Sequence, residues 1–308
     1  MENFKYVFGL VPSRRLGLSL GVSPIPERTC NHTCIYCQLG RTQHLTNTRK
    51  MFFPTQEIVQ ELKTYLEKKM QFDVITLVGE GEPTLYLGMG EIIQEFKKIT
   101  DKPITVITNG ALMSDPQVRK ELCCADIVLP SMDATNPEQY RKINRPFGTL
   151  QYQETFQGLI DFSHEFKGEL WVEIMLIEGM NNDEESLQNF KTMLSQIKYD
   201  RVYLNTPVRP PAEGYVQQAS KKSLARAVDL LGGISIDMLT AGNFFSEVPD
   251  SVEALTSICR RHPMNQFEIA AFLKGRKEKF SAEFAKRLAS DSRVTVVTRK
   301  GIRTYRAK

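Results

Sequence analysis

The 308-residue sequence predicts an α/β protein built as an open, partial barrel, with a small basic domain after it. Two observations favour this fold. Apolar, β-branched stretches alternate about six times with stretches of helical periodicity, which is typical of parallel strands joined by right-handed crossovers. The C-terminal part of the chain then breaks this alternation and carries a different charge balance.

The alternation defines the elements of the barrel in order. The predicted strands are residues 17–23, 74–78, 104–108, 126–131, 170–177 and 201–205. Ile58, Leu62 and Leu66 recur at helical spacing, and Thr55 is the predicted N-cap of this first helix. Further helices are predicted at about 91–99, 116–122, 184–197 and 221–231, an added strand at 234–239, and a linker at 242–250.

The C-terminal region has its own pattern. Three short helices are predicted at about 252–261, 266–273 and 282–289. Two strands, 294–298 and 302–306, flank Arg299-Lys300-Gly301, which is a good hairpin turn. Three short helices closed by a β-hairpin resemble a winged helix-turn-helix. We therefore predict two domains, a barrel at 1–245 and a basic winged-helix-like domain at 251–308.

Composition places the chain among globular proteins, with 41% hydrophobic and 25% charged residues. No apolar run approaches the length needed to span a bilayer. The N-terminus lacks a basic segment followed by an apolar one, so no signal peptide is expected. The cysteines are not spread as a disulfide framework would be. These features predict a protein of the reducing cytoplasm.

The net charge of +4 is unevenly placed along the chain. From Cys259 to Lys308 there are 14 Lys and Arg against 4 Asp and Glu, which leaves a net charge of −6 on the remainder. A basic domain on an acidic body suggests a polyanionic partner such as RNA. The alternative is that the charge only keeps the domain soluble.

Half of the cysteines fall within eight residues. Cys30, Cys34 and Cys37 have the spacing C-x3-C-x2-C. Thiolates suit iron–sulfur clusters, Cu(I) or zinc, and a cubane cluster normally takes four cysteines. Three cysteines can therefore hold three irons and leave the fourth open to a substrate. The alternatives are a structural zinc site with His32 or His44 as fourth ligand, or three buried reduced cysteines.

This spacing, with Tyr36 just before the last cysteine, resembles the radical S-adenosylmethionine (radical SAM) superfamily over roughly residues 8–240. The resemblance implies a partial barrel of six units and a [4Fe-4S] cluster on Cys30, Cys34 and Cys37, whose open iron is chelated by S-adenosyl-L-methionine. It further implies an external electron donor such as flavodoxin or ferredoxin. Reductive cleavage of SAM would then yield a 5′-deoxyadenosyl radical that takes a hydrogen atom from the substrate.

A second motif, Gly79-Glu80-Gly81-Glu82, follows the strand at 74–78. It resembles the Gly-Gly-Glu motif of radical SAM enzymes, whose backbone pairs with the methionyl ammonium group of SAM. Glu80 stands where a second small residue is usual, so either Gly79 or Gly81 could supply the close approach. Glu82 could neutralise the ammonium group. The alternative is an ordinary glycine turn.

Polar residues at later strand ends are the remaining candidates for SAM contacts. Asn109 ends one strand, and Ser131 and Asp133 end the next and are predicted to contact the ribose or carboxylate of SAM. Arg145 is predicted to pair with the SAM carboxylate. Glu173 and residues 177–179 loosely match the segment that packs on adenine in the superfamily. Asn205 and Arg209 end the sixth strand and are predicted to face the substrate. The alternative for each is a structural role such as helix capping.

The substrate is a separate question. Residues 8–22 and the motifs ending at Gly40 and Leu85 resemble a poorly characterised branch grouped with the wyosine tRNA synthetases. Those synthetases also need a second cluster and a reactive lysine, whereas this chain has only Cys123, Cys124 and Cys259 left over. RNA modification is therefore one hypothesis, and maturation of a peptide or protein is another. The rival outside this class is a non-enzymatic, metal-stabilised regulator that binds nucleic acid.

Overall fold

A computed structural model describes residues 4–236, 244, 246, 248–299 and 301–308. Its strands are β1 Val7–Ser13, β2 Gly17–Val22, β3 Thr29–Cys30, β4 His44–Leu45, β5 Val74–Leu77, β6 Ile104–Thr108, β7 Ile127–Pro130, β8 Glu169–Met175, β9 Arg201–Asn205, β10 Ile234–Ser235, β11 Met264–Asn265, β12 Val294–Arg299 and β13 Ile302–Ala307. Its helices are α1 Thr55–Leu66, α2 Met89–Ile99, α3 Pro116–Leu122, α4 Pro137–Ile143, α5 Tyr152–Glu165, α6 Glu184–Leu194, α7 Lys221–Leu231, α8 Ser251–Arg261, α9 Gln266–Gly275 and α10 Ala282–Ala289.

The main sheet has the order β1-β2-β5-β6-β7-β8-β9-β10. β1 is antiparallel to β2, and each later pair is parallel. Because the spatial order follows the chain, the carboxyl ends of the parallel strands all lie at one edge, where α/β barrels place their chemistry. The prediction of an α/β fold with a partial barrel is confirmed. β1 was not predicted as a separate strand.

The parallel strands are buried on both faces, as a helix-covered sheet requires. Leu170 and Val172 of β8 belong to the large apolar cluster shared with the helices, whereas Trp171 between them packs with Leu129 and Tyr203 on the other face. This second cluster contains no residue of α1–α10, so it lies on the concave side of the sheet. Side chains therefore fill the barrel, and its carboxyl edge remains for polar groups.

The sequence prediction was wrong at the start of α1. Pro54, not Thr55, occupies the N-cap position, and no side chain caps this helix. The Thr55 hydroxyl instead lies 2.9 Å from the hydroxyl of Tyr86 and donates to Glu91 at 3.0 Å. These contacts tie α1 to the chain that follows β5. Two helices between β7 and β8, α4 and α5, were not predicted.

The C-terminal region forms a small antiparallel sheet of order β11-β13-β12 with α8, α9 and α10. It has an apolar cluster of its own that includes Leu255, Phe272, Leu288 and Tyr305. The three predicted helices and the hairpin are present, although Lys300 lies outside the described residues. So do 237–239 of the predicted added strand and parts of the predicted linker. The winged-helix resemblance and the domain boundary stay predictions. Within the described residues, no helix has both the length and the apolar character to cross a bilayer.

Candidate functional site

The cysteine loop lies at the carboxyl edge of the sheet and is fastened on two sides. Cys30 ends β3, which pairs with β4. On the other side, the backbone N–H of Ile35 donates to the carbonyl of Ile143 at the end of α4, at 3.0 Å. His32 Nε2 lies 2.8 Å from the hydroxyl of Tyr140, and burial lowers the pKa of His32 to about 3. The loop is therefore held by α4, an element that the sequence prediction missed.

Two of the three thiols, those of Cys30 and Cys34, receive N–H donors. The backbone N–H of His32 lies 3.4 Å from Cys30 Sγ, and the amide Nδ2 of Asn144 lies 3.6 Å from Cys34 Sγ. Burial raises the pKa of the Cys34 thiol, and the nearby charges of Cys30 and Cys37 raise it further. N–H donors stabilise thiolates, the form in which cysteine binds a metal.

The chemistry of the three cysteines determines which metal group they can hold. In the described part of the chain, no group of three or more His, Cys, Asp or Glu side chains is arranged to hold a single metal ion. The cysteines of a cubane cluster bind different irons, so they need not converge on one point. Cys30, Cys34 and Cys37 are all free thiols on one loop. This set fits a cluster that takes three protein ligands.

Both glycines of the second motif are required by the fold. Gly79 has a φ of +150°, and a Cβ there would stand 2.7 Å from Ser23 Oγ. A Cβ on Gly81 would stand 1.7 Å from the carbonyl oxygen of Thr29, which also accepts the backbone N–H of Glu82 at 3.0 Å. Gly81 therefore lets the motif approach the residue before Cys30. The predicted contacts of Gly79 and Gly81 with SAM stay predictions.

Glu82 is buried and braces two strand ends. One carboxylate oxygen accepts from the backbone N–H and hydroxyl of Thr84 at 3.0 and 2.6 Å and from the hydroxyl of Thr108 at 2.6 Å. The other accepts the backbone N–H of Asn109 at 2.7 Å. Burial raises the pKa of Glu82, and these hydrogen bonds oppose the rise. Its role toward SAM stays a prediction beside this bracing role.

Glu80, the unusual residue of the motif, is the point where the C-terminal region meets the barrel. Its buried carboxylate contacts Arg260 and lies 3.8 Å from Nε of Arg261, both at the end of α8. Arg261 also donates to the carbonyl of Lys5 at 3.0 Å, and its guanidinium lies 4.6 Å from the ring centroid of Phe8. The sequence placed an acid where a small residue is usual but gave no sign of its partners.

Asp133 joins the cysteine loop to the strand ends. It accepts from the hydroxyl of Tyr36, from Nδ2 of Asn144 at 2.9 Å and from the backbone N–H of Met175 at 3.0 Å. Burial raises its pKa. Asp133 lines a narrow cavity of about 30 Å³ together with His32, Asn109, Ser131 and Asn144. The structure thus brings three of the predicted SAM contacts, Asn109, Ser131 and Asp133, together beside the cysteine loop.

Arg145 lies apart from that cavity. Its guanidinium donates to Glu213 at 2.6 Å and to the hydroxyl of Tyr215 at 2.9 Å. Glu213 also accepts from Arg41 at 3.0 Å, and the hydrogen bonds from Arg41 and Arg145 lower its pKa. These contacts tie the region after α4 to the loop after β9. The predicted pairing of Arg145 with the SAM carboxylate stays a prediction.

Glu173, Asn205 and Arg209, which the sequence places loosely near adenine or the substrate, all contact other protein groups. Glu173 contacts Arg15, and Asn205 Nδ2 donates to Glu173 at 3.2 Å. Arg209 donates to the carbonyl of Pro263 at 2.7 Å and to Glu268 at 3.1 Å. Arg209 therefore binds the C-terminal region.

Comparisons with known proteins agree with this geometry. A family model described as "Radical SAM superfamily" matches residues 25–190. The chain belongs to the radical SAM superfamily. It is 33% identical over 298 residues to UPF0026 protein MJ1312 of Methanocaldococcus jannaschii, covering 93% of this chain and 91% of the relative. It is 41% identical over 208 residues to UPF0026 protein slr1464 of Synechocystis, covering 67% and 77%.

A further relative is longer. The chain is 39% identical over 223 residues to a protein of Brachyspira hyodysenteriae named GTPase Obg, covering 72% of this chain. The match spans about a third of that relative, 33% of its length.

Solved structures share the radical SAM fold. Streptococcus suis SuiB bound to S-adenosylmethionine is 13% identical, with a TM-score of 0.51 over 72% of this chain and 48% of that chain. A radical SAM methyltransferase from Sphaerobacter thermophilus is 18% identical, with a TM-score of 0.50 over 71% and 67%. The predictions of the radical SAM fold and of an enzyme of this type are confirmed.

Proposed function

We propose that the protein holds a [4Fe-4S] cluster on Cys30, Cys34 and Cys37 and binds SAM at the open iron. The bound cluster would supply one electron for reductive cleavage of SAM to methionine and a 5′-deoxyadenosyl radical. The observation that carries this proposal is the set of three free thiols on one loop, two of them with N–H donors, at the edge where the parallel strands end. The adjacent Gly79–Glu82 turn supports it, because a structural zinc site does not need that turn.

The chain's own residues orient the reactants and exclude water. Asn109, Ser131 and Asp133 lie together beside the cysteine loop, and their polar groups would contact the ribose or carboxylate of SAM. Tyr36 and Asn144 fix the orientation of Asp133. The carboxylate of Asp133 therefore has a defined direction before any ligand enters.

Metal content separates this proposal from its rival. Protein reconstituted anaerobically should contain four irons with sulfide per chain. Cys34→Ala should lose most of this iron. Cys123→Ala removes an exposed thiol and should keep it. One zinc per chain, or full iron in the Cys34 variant, would contradict the proposal and favour a structural metal in a nucleic-acid-binding regulator.

We further propose RNA as the substrate class, with the C-terminal region as its binding surface. Some arginines of this region contact the barrel, among them Arg260 and Arg261. Exposed lysines remain at the end of α9, in the segment after it and on α10: Lys274, Lys277, Lys279 and Lys286. Lysines that neutralise phosphates give binding without sequence readout. The acidic remainder of the chain restricts this attraction to the C-terminal region.

Salt dependence tests the RNA proposal on the full chain. Replacing Lys274, Lys277 and Lys279 by Gln should weaken binding to single-stranded RNA and reduce the slope of log K against log salt by about 2, at roughly 0.7 per phosphate contact. A control that replaces exposed Lys191 and Lys222 on the barrel helices should leave the slope unchanged. Equal slopes for all three proteins would contradict RNA binding at this surface.

A specific observation favours a peptide substrate as the second candidate. A groove of about 400 Å³ lies between α10 and the β12–β13 hairpin, lined largely by apolar groups that include Phe280, Ala285, Val296 and Tyr305. This volume suits a small ligand or a few side chains of a peptide. Failure of the RNA test would therefore direct attention to this groove and to peptide or protein maturation.

A further inference from the structure

Arg306 of β13 lies against the cysteine loop, far from it in sequence. Its guanidinium carbon stands 3.9 Å from the position that a Cβ on Gly40 would take. Its Nη1 atom is buried and has no hydrogen-bond partner in the described part of the chain. No carboxylate of the described residues forms an ion pair with it. A buried guanidinium donor without an acceptor is costly, so this atom points to a missing anionic group.

The nearest candidate for that group is the site at Cys37. Gly40, the residue against which Arg306 lies, follows Cys37 by three residues, and its backbone N–H donates to the carbonyl of Cys37 at 3.1 Å. Arg28 lies two residues before Cys30. The cations of Arg306 and Arg28 therefore lie at the two ends of the loop that carries the three predicted cluster ligands.

Arg28 fixes the position of the strand that carries Arg306. Its guanidinium donates to the carbonyl of Ala307 at 3.0 Å and also contacts that of Lys308. Arg28 directly precedes Thr29 and Cys30 in the chain. The strand β13 is thus bound to the segment that enters the cysteine loop, and this attachment holds Arg306 against the loop at Gly40.

We propose that Arg306 is a positioning and electrostatic residue of the cluster site, so that the C-terminal region completes the environment of the cluster. This inference rests on the proposed function. A cluster held by Cys30, Cys34 and Cys37 would gain one negative charge when it accepts an electron from an external low-potential donor. A fixed positive charge stabilises the reduced cluster more than the oxidised one. Arg306 therefore makes the cluster easier to reduce.

The test is a reductive titration of the reconstituted full chain, followed by optical and electron paramagnetic resonance spectroscopy. Arg306→Gln should lower the ratio of reduced to oxidised cluster about tenfold at a fixed solution potential, which corresponds to ~59 mV for one electron. Arg303→Gln is the matched control, because Arg303 lies on the same strand, is exposed and hydrogen-bonds Gln266. It should leave the ratio unchanged, and Arg306→Lys should stay within about threefold of the wild type.

The outcomes separate this inference from the proposed function. A wild-type protein that takes up no [4Fe-4S] cluster contradicts the proposed function itself. A cluster whose reduced ratio is the same in Arg306→Gln and Arg303→Gln overturns the role of Arg306. If Arg306→Gln fails to hold a cluster, the ratio of reduced to oxidised cluster is measured in Arg306→Lys instead. A ratio near that of the wild type then supports the role of the charge, and a tenfold loss overturns it.

Discussion

Glu82 offers the sharpest test of how the strand ends are held. Three donors, the backbone N–H and hydroxyl of Thr84 and the hydroxyl of Thr108, converge on one carboxylate oxygen, and the N–H of Asn109 uses the other. In Glu82→Gln the side-chain oxygen can keep the first three donors. The new NH₂ group then faces the Asn109 N–H, which stood 2.7 Å from the carboxylate. Glu82→Ala removes the acceptor of all four.

These contacts set the size of the expected effects. A hydrogen bond to a charged group contributes about 1.5–3 kcal/mol, and an unsatisfied buried donor costs about 1–3 kcal/mol. We expect Glu82→Gln to lower the free energy of unfolding by about 2 kcal/mol. We expect Glu82→Ala to lower it by about 4 kcal/mol, less than the sum of four bonds because the site can relax and admit water. Burial of the carboxylate, which raises its pKa, opposes these losses in part.

The assay is urea unfolding of the apoprotein under anaerobic conditions, so that no cluster contributes to stability. Glu154→Gln on an exposed position of α5 is the control, and surface changes of this kind stay within about 0.5 kcal/mol. If both Glu82 variants unfold at the same urea concentration as this control, the bracing role of Glu82 is refuted.

Three further predictions follow from single contacts. Gly81→Ala should lower the free energy of unfolding by more than about 3 kcal/mol and reduce iron uptake. Gly148→Ala is the control and should change neither, because no atom lies within 4 Å of the new Cβ. Equal iron contents in the two variants would contradict this prediction. Glu80→Gln removes the buried carboxylate that faces Arg260 and Arg261, and it should weaken the contact between α8 and the barrel by about 3 kcal/mol. Amide hydrogen exchange in α8 should become faster, and unchanged exchange would refute this prediction. Hydrogen bonds from Arg293 lower the pKa of Asp291 to about 2, so its stabilisation is present above pH 4 and is lost as the pH falls from about 4 to 2. Asp291→Asn should therefore cost about 1 kcal/mol at pH 7 and nothing at pH 2 in urea unfolding, and a difference that persists at pH 2 would contradict this.

The sequence predicted what periodicity and local chemistry control. β6, β9, α3, α7 and α10 begin and end where predicted, because apolar spacing and turn residues specify such elements locally. The cysteine motif was recognisable because its three cysteines lie within eight residues.

Long-range contacts could not be predicted in the same way. Thr55 has the side chain of an N-cap, but the hydroxyls and carboxylates that hold it come from elsewhere in the chain. The role of Glu80 depends on Arg260, and that of Arg306 on its position against Gly40, each pair far apart in sequence. One sequence contains no signal for such pairs. Several arginines of the C-terminal region, among them Arg260, Arg261 and Arg299, contact the barrel, and the RNA partner stays a prediction.

Formation of 5′-deoxyadenosine tests the central claim most directly. The reconstituted protein would be mixed with SAM and dithionite under anaerobic conditions, and the products measured by mass spectrometry. We predict 5′-deoxyadenosine and methionine in equal amounts from the wild type and from Cys123→Ala, and neither from Cys34→Ala. An intact cluster that leaves SAM uncleaved and whose spectrum SAM does not change would contradict the claim.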